Sequence, residues 1–204
     1  SERNGEPSWL AEDRQKALEL AGQLELPVFE KTKIERWNLN DYGQHKLSEV
    51  IASVGEVPAA IADLVKEQQE GGLIIQRNSG AVYVKLSEEL AAQGVIFTDL
   101  QTAVKEHADL VKAHLNTVIK AEENSLSALH AALWNGGVFA YVPKNVELNV
   151  PLQAVFLTDD ATATFAPHVL LIAENHSSVT YVDNYVSADL AAPVLHNGAV
   201  EVVA

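Results

Sequence analysis

The 204-residue sequence contains no cysteine and no methionine. Without cysteine there is no disulfide, no thiolate nucleophile and no sulfur ligand for zinc or an iron–sulfur cluster. The seven histidines are therefore the only soft metal ligands that the chain offers. We expect the chain by itself to bind no cofactor that depends on sulfur ligands.

Basic residues are also scarce. Lysine and arginine number 14 against 28 aspartates and glutamates, which gives a formal net charge of -14. Such a surface repels phosphate backbones and anionic lipids, and this argues against direct binding to nucleic acid or to a membrane. No apolar run approaches the roughly 20 residues of a membrane helix, and the polar N-terminus lacks the apolar core of a secretory signal. We interpret the protein as cytoplasmic.

Hydrophobic residues make up 48% of the sequence, which is enough for a sizeable core. The first part of the chain mixes helical and strand periodicities, and this predicts a helical or α+β domain over residues 1–124. The predicted elements are a helix capped by Ser8, an extended arm over 27–42, a helix starting at Pro58 with Ala60, Ile61, Leu64 and Val65 on its buried face, a hairpin of 73–77 and 81–85 around Asn78-Ser79-Gly80, a strand over 94–97, and one long helix from Thr98 or Asp99 to Ile119.

The hydrophobic period changes at Asn135-Gly136-Gly137. Before this point a short helix starts at Ser125, which is placed to cap it; after it, apolar residues alternate with a period of two. Short strands without intervening helices are typical of a sandwich, a barrel or a β-solenoid, and the pattern alone does not choose among them. The predicted strands cover 138–142, 146–150, 152–156, 169–173 and 179–182, with a last one over 200–204 and a corner at Pro151.

Five histidines were considered as metal ligands. His107 and His114 are two helical turns apart, about 10 Å, which is too far to share one ion. His168, His176 and His196 lie among the predicted strands, where stacked coils could bring them together, but their spacing does not require a site. We interpret all five as packed or solvated side chains.

Two other polar motifs have the composition of a functional site. Asp159-Asp160 could bind a hard cation, but adjacent loop carboxylates are usually solvated. Ser177-Ser178, near His176 and Asp183, has no nucleophile-elbow sequence around it. The sequence therefore predicts no catalytic residue, no cofactor-binding residue and no metal ligand.

Two glycine pairs and a tryptophan have structural interpretations. Gly71-Gly72 and Gly136-Gly137 belong to neither a P-loop nor a GxGxxG motif, so we interpret both pairs as helix stops. Trp134 is interpreted as a core anchor and not as a stacking platform for a cofactor.

Several longer segments resemble the SufB/SufD family of iron–sulfur cluster assembly proteins. The resemblance covers most of the chain, and the opening together with the arm ending in Arg36-Trp37 is more similar to SufD than to SufB. The similar segments read GEPSWLAEDRQKALE, LPVFEKTKIERWNL, ALHAALWNGGVFAYVPKNVELNVPLQAVF and HVLLIAENHSSVTYVDNY.

This resemblance implies an N-terminal domain followed, over residues 125–204, by the first coils of a right-handed parallel β-helix. It also implies a non-catalytic scaffold subunit in a complex where SufB-like and SufD-like subunits pair through their β-helices and each engages a SufC-like ATPase. In that case the parent complex, and not this chain alone, handles the iron–sulfur cluster. The family's ATPase-binding helices and distal cluster-linked residues have no counterpart in the sequence.

Two alternatives remain open at this point. The chain could be a SufB-like paralogue, or more remotely a carbohydrate-active β-solenoid enzyme, which would need clustered carboxylates and an aromatic-lined groove although aromatics are only 6%. Because Val200, Val202 and Ala204 alternate without a closing element, we expect the chain to be a fragment. If it is whole, we expect its last coil to fray or to pair with a second copy as a homodimer.

Overall fold

The computed structural model describes residues 5–66 and 70–204 and shows a mixed α+β fold. Among these residues, none of the helices has both the length and the apolar character to cross a bilayer. The helices are α1 (Ser8–Ala21), α2 (Ala59–Lys66), α3 (Glu88–Ala92), α4 (Leu100–Glu106), α5 (Ala108–His114) and α6 (Ser125–Leu133), with short 3-10 turns at Ile34–Arg36 and Val54–Glu56. The strands are β1 (Gly72–Arg77), β2 (Gly80–Leu86), β3 (Ile96–Asp99), β4 (Val138–Val142), β5 (Leu152–Thr158), β6 (His168–Ala173), β7 (Tyr181–Ser187) and β8 (Ala199–Val203).

The strands form two four-stranded sheets. The first sheet has the order β2-β1-β5-β7 and the second has the order β3-β4-β6-β8. In each sheet the first pair is antiparallel and the other two pairs are parallel. Both sheets combine strands from before and after residue 124, through β1–β5 in one and β3–β4 in the other. The predicted domain boundary at that residue stays a prediction.

From β4 onward the chain alternates between the two sheets. Each strand from β6 onward pairs in parallel with the strand two places earlier, so that Val138 lies beside Val169 and Val169 beside Val200. The other sheet repeats the arrangement, with Leu152 beside Tyr181. Equivalent positions of successive strands therefore stack on one another.

The core has three layers because the central strands bury both faces. Inward-facing residues of the two sheets meet in one cluster, and helices cover the outer faces. This explains why every residue of β5 is buried, whereas β7 at the sheet edge is half exposed. The inner cluster includes Ile74, Leu152, Ala154 and Phe156 from the first sheet and Val138, Ala140, Val142, Val169 and Leu171 from the second.

The predicted hairpin is confirmed. Strands β1 and β2 are joined at Asn78 and Ser79, and Asn78 adopts a positive φ of 54°. The predicted stop after α6 is confirmed in part: Gly136 and Gly137 have positive φ values of 62° and 96°, but the helix already ends at Leu133, before these glycines. By contrast, Gly72 does not stop a helix but begins β1, where a Cβ would lie 2.6 Å from the ring of Phe97.

The long helix predicted from residue 98 or 99 to Ile119 is wrong in its extent. It breaks at His107, whose φ of -127° and ψ of 39° are not helical, and it ends at His114. Beyond it, Asn116 has a φ of 57°. The backbone N–H groups of this segment donate to the carboxylate of Glu201 instead of to a helix.

The strand predicted over 146–150 is also wrong. Only an isolated bridge joins Glu147 to Ser178, and the segment forms a corner between β4 and β5. Pro143 and Pro151 flank this corner and Asn145 has a φ of 63°, so a regular extended ladder is interrupted on both sides. Two other strands differ in their bounds from the predictions over 94–97 and 179–182, since β3 and β7 begin and end later.

The predicted helix starts also need correction. Pro7 and not Ser8 is the N-cap of α1, and it makes no side-chain cap. For α6 the cap is Asn124 and not Ser125, because the Asn124 side chain accepts the N–H groups of the next turn. The short helix α3 was not predicted, although Ser87 caps it, and Ala60 on α2 is exposed.

We predict that Gly137→Ala destabilises the fold severely. Gly137 has a positive φ, and an added Cβ would lie 1.9 Å from the carbonyl oxygen of His168, so strain and overlap add to about 3 kcal/mol or more. Gly22→Ala is the matched control, since its Cβ would meet nothing closer than 3.6 Å. Denaturant unfolding of both variants measures the difference; equal free energies of unfolding would contradict the close approach of β4 to β6.

Candidate functional site

Three buried polar side chains form a continuous line on the outer face of the second sheet. His130 Nε2 lies 2.9 Å from His168 Nδ1, and His168 Nε2 lies 2.9 Å from Glu201 Oε2. Their exposed fractions are 3%, 0% and 0%. A fully buried carboxylate beside two imidazoles is the most unusual polar arrangement among the described residues.

Each member of this line comes from a different element. His130 is on α6, while His168 begins β6 and Glu201 is in the middle of β8. His168 and Leu170 share a face of β6 because side chains alternate along a strand, and Glu201 pairs with Leu170 in the neighbouring strand. The parallel register therefore places the imidazole and the carboxylate on the same outward face, beneath α6.

The Glu201 carboxylate also binds the segment that follows α5. Its Oε2 accepts the N–H of Asn116 at 2.7 Å, and its Oε1 accepts those of Val118 and Ile119 at 2.8 and 2.9 Å. Burial alone would raise the pKa of Glu201, but the hydrogen bonds from His168 and from these amides outweigh it, so its pKa lies below the ordinary value. The site thus favours an ionised carboxylate.

At the other end of the line, His130 interacts with a backbone carbonyl. Its Nδ1 lies 2.7 Å from the oxygen of Asn197, and its ring stacks on that of His168 with centroids 5.1 Å apart. Burial, followed by the neighbouring His168, lowers the pKa of His130 to about 3. His130 is therefore neutral around pH 7.

Trp134 lies beside this line and connects α6 to α1. Its ring centroid is 6.1 Å from that of His168, and the guanidinium of Arg14 lies 4.2 Å above the Trp134 ring. Arg14 also donates to the carbonyls of Ala132 and Trp134 and pairs with Glu6 at 2.9 Å. Trp134 is buried among core residues, as predicted for an anchor.

The other four candidate histidines are dispersed. The His107 ring stacks on Phe139 at the break between α4 and α5, whereas His114 ends α5. His176 is exposed at the corner after β6, with a φ of 61°. Among the described residues no three metal-ligating side chains form a group that could hold an ion.

His196 packs in an aromatic cluster instead of ligating. Its ring centroid lies 4.9 Å from those of both Phe165 and Tyr185, and Tyr185 in turn stacks on Phe156. Burial lowers the pKa of His196. The cluster lies at the edge of the inner core, where Phe156 and Phe165 are buried and Tyr185 is 42% exposed.

The acidic pair is engaged by basic side chains of this chain. Arg77 pairs with Asp159 at 2.7 Å, and Lys46 pairs with Asp160 at the same distance. Hydrogen bonds from Lys46 and then Thr162 hold the pKa of Asp160 well below its usual range. The pair fastens the segment around Lys46 to the end of β5.

The serine motif gives no catalytic arrangement within the described residues. The backbone N–H groups of Ser177 and Ser178 donate to Glu174 and Val146 in the corner after β6. Neither serine side chain hydrogen-bonds to His176 or Asp183 there. Burial raises the pKa of Asp183, whose carboxylate accepts a long hydrogen bond from Tyr185 at 3.4 Å.

Sequence reasoning did not single out His130 or Glu201. The contacts in their line join residues that are 33 to 85 positions apart, so no local spacing reveals them. One signal was present: Glu201 is a charged residue in the middle of an otherwise apolar strand. A buried charge needs a partner, and that partner could be identified only from the register.

Comparisons with known proteins give a consistent picture. Residues 3–154 match the family described as "SufBD protein N-terminal region". The iron–sulfur cluster assembly protein SufD of Bacillus subtilis (strain 168) is 43% identical over 190 residues, which is 92% of this chain and 44% of that protein. A SufBD family protein of Pyrococcus horikoshii is 31% identical over 209 residues (96% and 46%), and one of Staphylococcus haemolyticus is 32% identical over 213 (100% and 46%). The chain thus spans less than half the length of these relatives.

We predict that His130 makes the fold sensitive to acid. An unfolded histidine binds a proton below about pH 6.5, whereas folded His130 stays neutral down to about pH 3, so stability is lost as the pH falls through this window. The loss is about 1.4 kcal/mol per pH unit. In His130→Gln the free energy of unfolding should depend less steeply on pH between about pH 6 and 4.

Urea unfolding at several pH values measures this slope. Ser127→Ala, a change on the same helix that removes no titratable group, is the control and should keep the original slope. An unchanged slope in His130→Gln would show that the folded chain accepts the proton.

Proposed function

Because the chain belongs to the SufB/SufD family of iron–sulfur cluster assembly proteins and is most like SufD, we propose that it serves as a non-catalytic scaffold segment in cluster assembly. The observation that carries this proposal is the 43% identity to SufD over nearly the whole chain. A role in iron–sulfur cluster assembly is what the family supports. The scaffold role and the membership of a SufB–SufC–SufD type complex are our inference.

The proposed partners are a SufB-like subunit and a SufC-like ATPase. The cluster itself would be cargo of the parent complex, since this chain has no cysteine to ligate it. The cytoplasmic location also stays a prediction.

We further propose that β4 to β8 are the first coils of a right-handed parallel β-helix. Three observations support this: the chain alternates between two sheets, successive strands in each sheet are parallel, and equivalent residues stack. The inner faces fill one apolar cluster between the sheets, which is how a solenoid buries its interior.

The last strands fit a solenoid that continues. Val200 and Val202 occupy inward-facing positions, because they pair with the buried Val169 and Leu171, yet they are 44% and 54% exposed. Tyr185 on β7 pairs with Phe156 and is 42% exposed. A further pair of parallel strands would cover these side chains and use the free strand edges. A homodimer through the same edges stays a prediction.

A SufB-like paralogue remains the nearer alternative, because the matching family region covers both branches. The carbohydrate-active enzyme has no observation in its favour. The described acidic pair Asp159-Asp160 is tied to Arg77 and Lys46 by ion pairs.

A graft tests the proposed role. We expect Bacillus subtilis SufD to remain functional when this chain replaces its matching segment, measured as the activity of an iron–sulfur enzyme in a strain without its own SufD. The same graft with Gly22→Ala should work, whereas the graft with Gly137→Ala should fail. A chimera that accumulates in folded form but restores no enzyme activity would contradict the role, and success only inside a SufB protein would favour the other branch.

We also predict that the chain alone retains no iron–sulfur cluster. Without thiolates, anaerobic incubation with iron and sulfide followed by desalting should leave no stoichiometric cluster absorption. The same procedure on a SufB–SufC–SufD type complex provides the positive comparison. Retained absorption on the isolated chain would show that histidines and carboxylates bind a cluster.

A further inference from the structure

The hydrogen bonds that run from Asn197 through His130 and His168 to Glu201 determine how many protons the two imidazoles and the carboxylate share. The line contains three contacts in series: Asn197 O to His130 Nδ1 at 2.7 Å, His130 Nε2 to His168 Nδ1 at 2.9 Å, and His168 Nε2 to Glu201 Oε2 at 2.9 Å. All three distances are those of ordinary hydrogen bonds.

Both ends of the line are acceptors when the carboxylate is ionised. A carbonyl oxygen and a carboxylate oxygen each need a donor, and every contact needs one proton between its two atoms. Three contacts therefore need three protons. Two neutral imidazoles supply only two, so the line holds one proton more than two neutral histidines.

The surroundings decide which group holds this proton. Glu201 accepts three backbone N–H groups besides His168, and such contacts stabilise its ionised form. His130 donates from Nδ1 to a carbonyl and is kept neutral by burial, which leaves its Nε2 as an acceptor. His168 is the remaining group, and both of its ring nitrogens face acceptors.

We propose that His168 is an imidazolium that forms a buried ion pair with Glu201, and that this single proton fastens the segment between α5 and α6 to strands β6 and β8. The carboxylate is held on one side by His168 and on the other by the amides of residues 116, 118 and 119. We call this pair the latch, because it joins the segment after α5 to the second sheet.

The charged groups that face His168 are few. Glu201 approaches from β8 and neutral His130 from α6. Arg14 on α1 lies over the ring of Trp134, 4.2 Å from its centroid, and pairs with Glu6 at 2.9 Å. Just before β4 the neighbour is Gly137, which has no side chain and packs against the His168 backbone. Glu201 is thus the carboxylate in direct contact with the ring.

Loss of the proton would open the latch. A neutral His168 that donates to His130 would turn the lone pair of its Nε2 toward Glu201 Oε2, and two acceptors at 2.9 Å repel each other. The contact between His168 and Glu201 is therefore attractive only while His168 carries this proton.

Nitrogen-15 NMR of the histidine rings tests the assignment directly in the unaltered chain at about pH 7. We expect His168 to show two protonated ring nitrogens and His130 to show the neutral form with the proton on Nδ1. A neutral His168 beside an ionised Glu201 would overturn the proposal. So would a protonated Glu201, which an infrared carbonyl band of a carboxylic acid would reveal.

Glu201→Gln gives the matched variant. The amide can donate to His168 Nε2, so the line needs no extra proton and His168 should become neutral, although the contact to the Asn116 amide is lost. Glu174→Gln, which alters an exposed glutamate just after β6, should leave the His168 signals unchanged. An imidazolium that persists in Glu201→Gln would show that the carboxylate does not hold the proton.

Hydrogen exchange measures the latch itself. In Glu201→Gln the protection factors of the Val118 and Ile119 amides should be about tenfold or more lower than in the unaltered chain at the same pH, beyond any change in α4. In Glu174→Gln they should be unchanged. If protection of these amides is the same in Glu201→Gln as in the unaltered chain, the latch proposal is wrong even where the proton assignment holds.

Discussion

The parallel pairing of β4 with β6 and of β6 with β8 is the constraint on which the rest of the structure depends. A parallel partner requires the chain to leave the sheet and return, and here it returns through the other sheet. Each return brings equivalent positions into register. The same register that stacks Val138, Val169 and Val200 on the inner face places His168 and Glu201 together on the outer face.

The pairing of β4 with β6 also requires close backbone contact where the two strands begin. Gly137 lets the backbone of β4 approach that of His168 so closely that any side chain would overlap it. Asn135 reinforces the junction, because its side chain accepts the N–H of Ala166 and donates to the carbonyl of Thr164. The turn after α6 and the beginning of β6 therefore pack as one unit. The backbone that carries the buried imidazole of His168 is held in place by these contacts.

Family membership and the buried network bear on different parts of the molecule's role. The match to the SufBD N-terminal region identifies the family of the chain. The relatives in that family are more than twice as long as this chain. The network concerns how this segment is held together. Glu201 on the last strand binds amides at 116, 118 and 119, so an intact β8 is needed to fix the connection that leads into α6.

The sequence by itself determined the α+β class, the hairpin at Asn78, the stop at Gly136-Gly137 and the family, because these depend on local periodicity, on residues that tolerate positive φ and on long similar segments. Two predictions made from apolar spacing alone are wrong: one continuous helix through His107, and a strand over 146–150. Only the tertiary structure decided the sheet order and the meeting of His130, His168 and Glu201. The physical reason is that hydrogen bonds between residues 33 to 85 positions apart depend on which strands pair and in which register, and the local pattern of one strand does not name its partner.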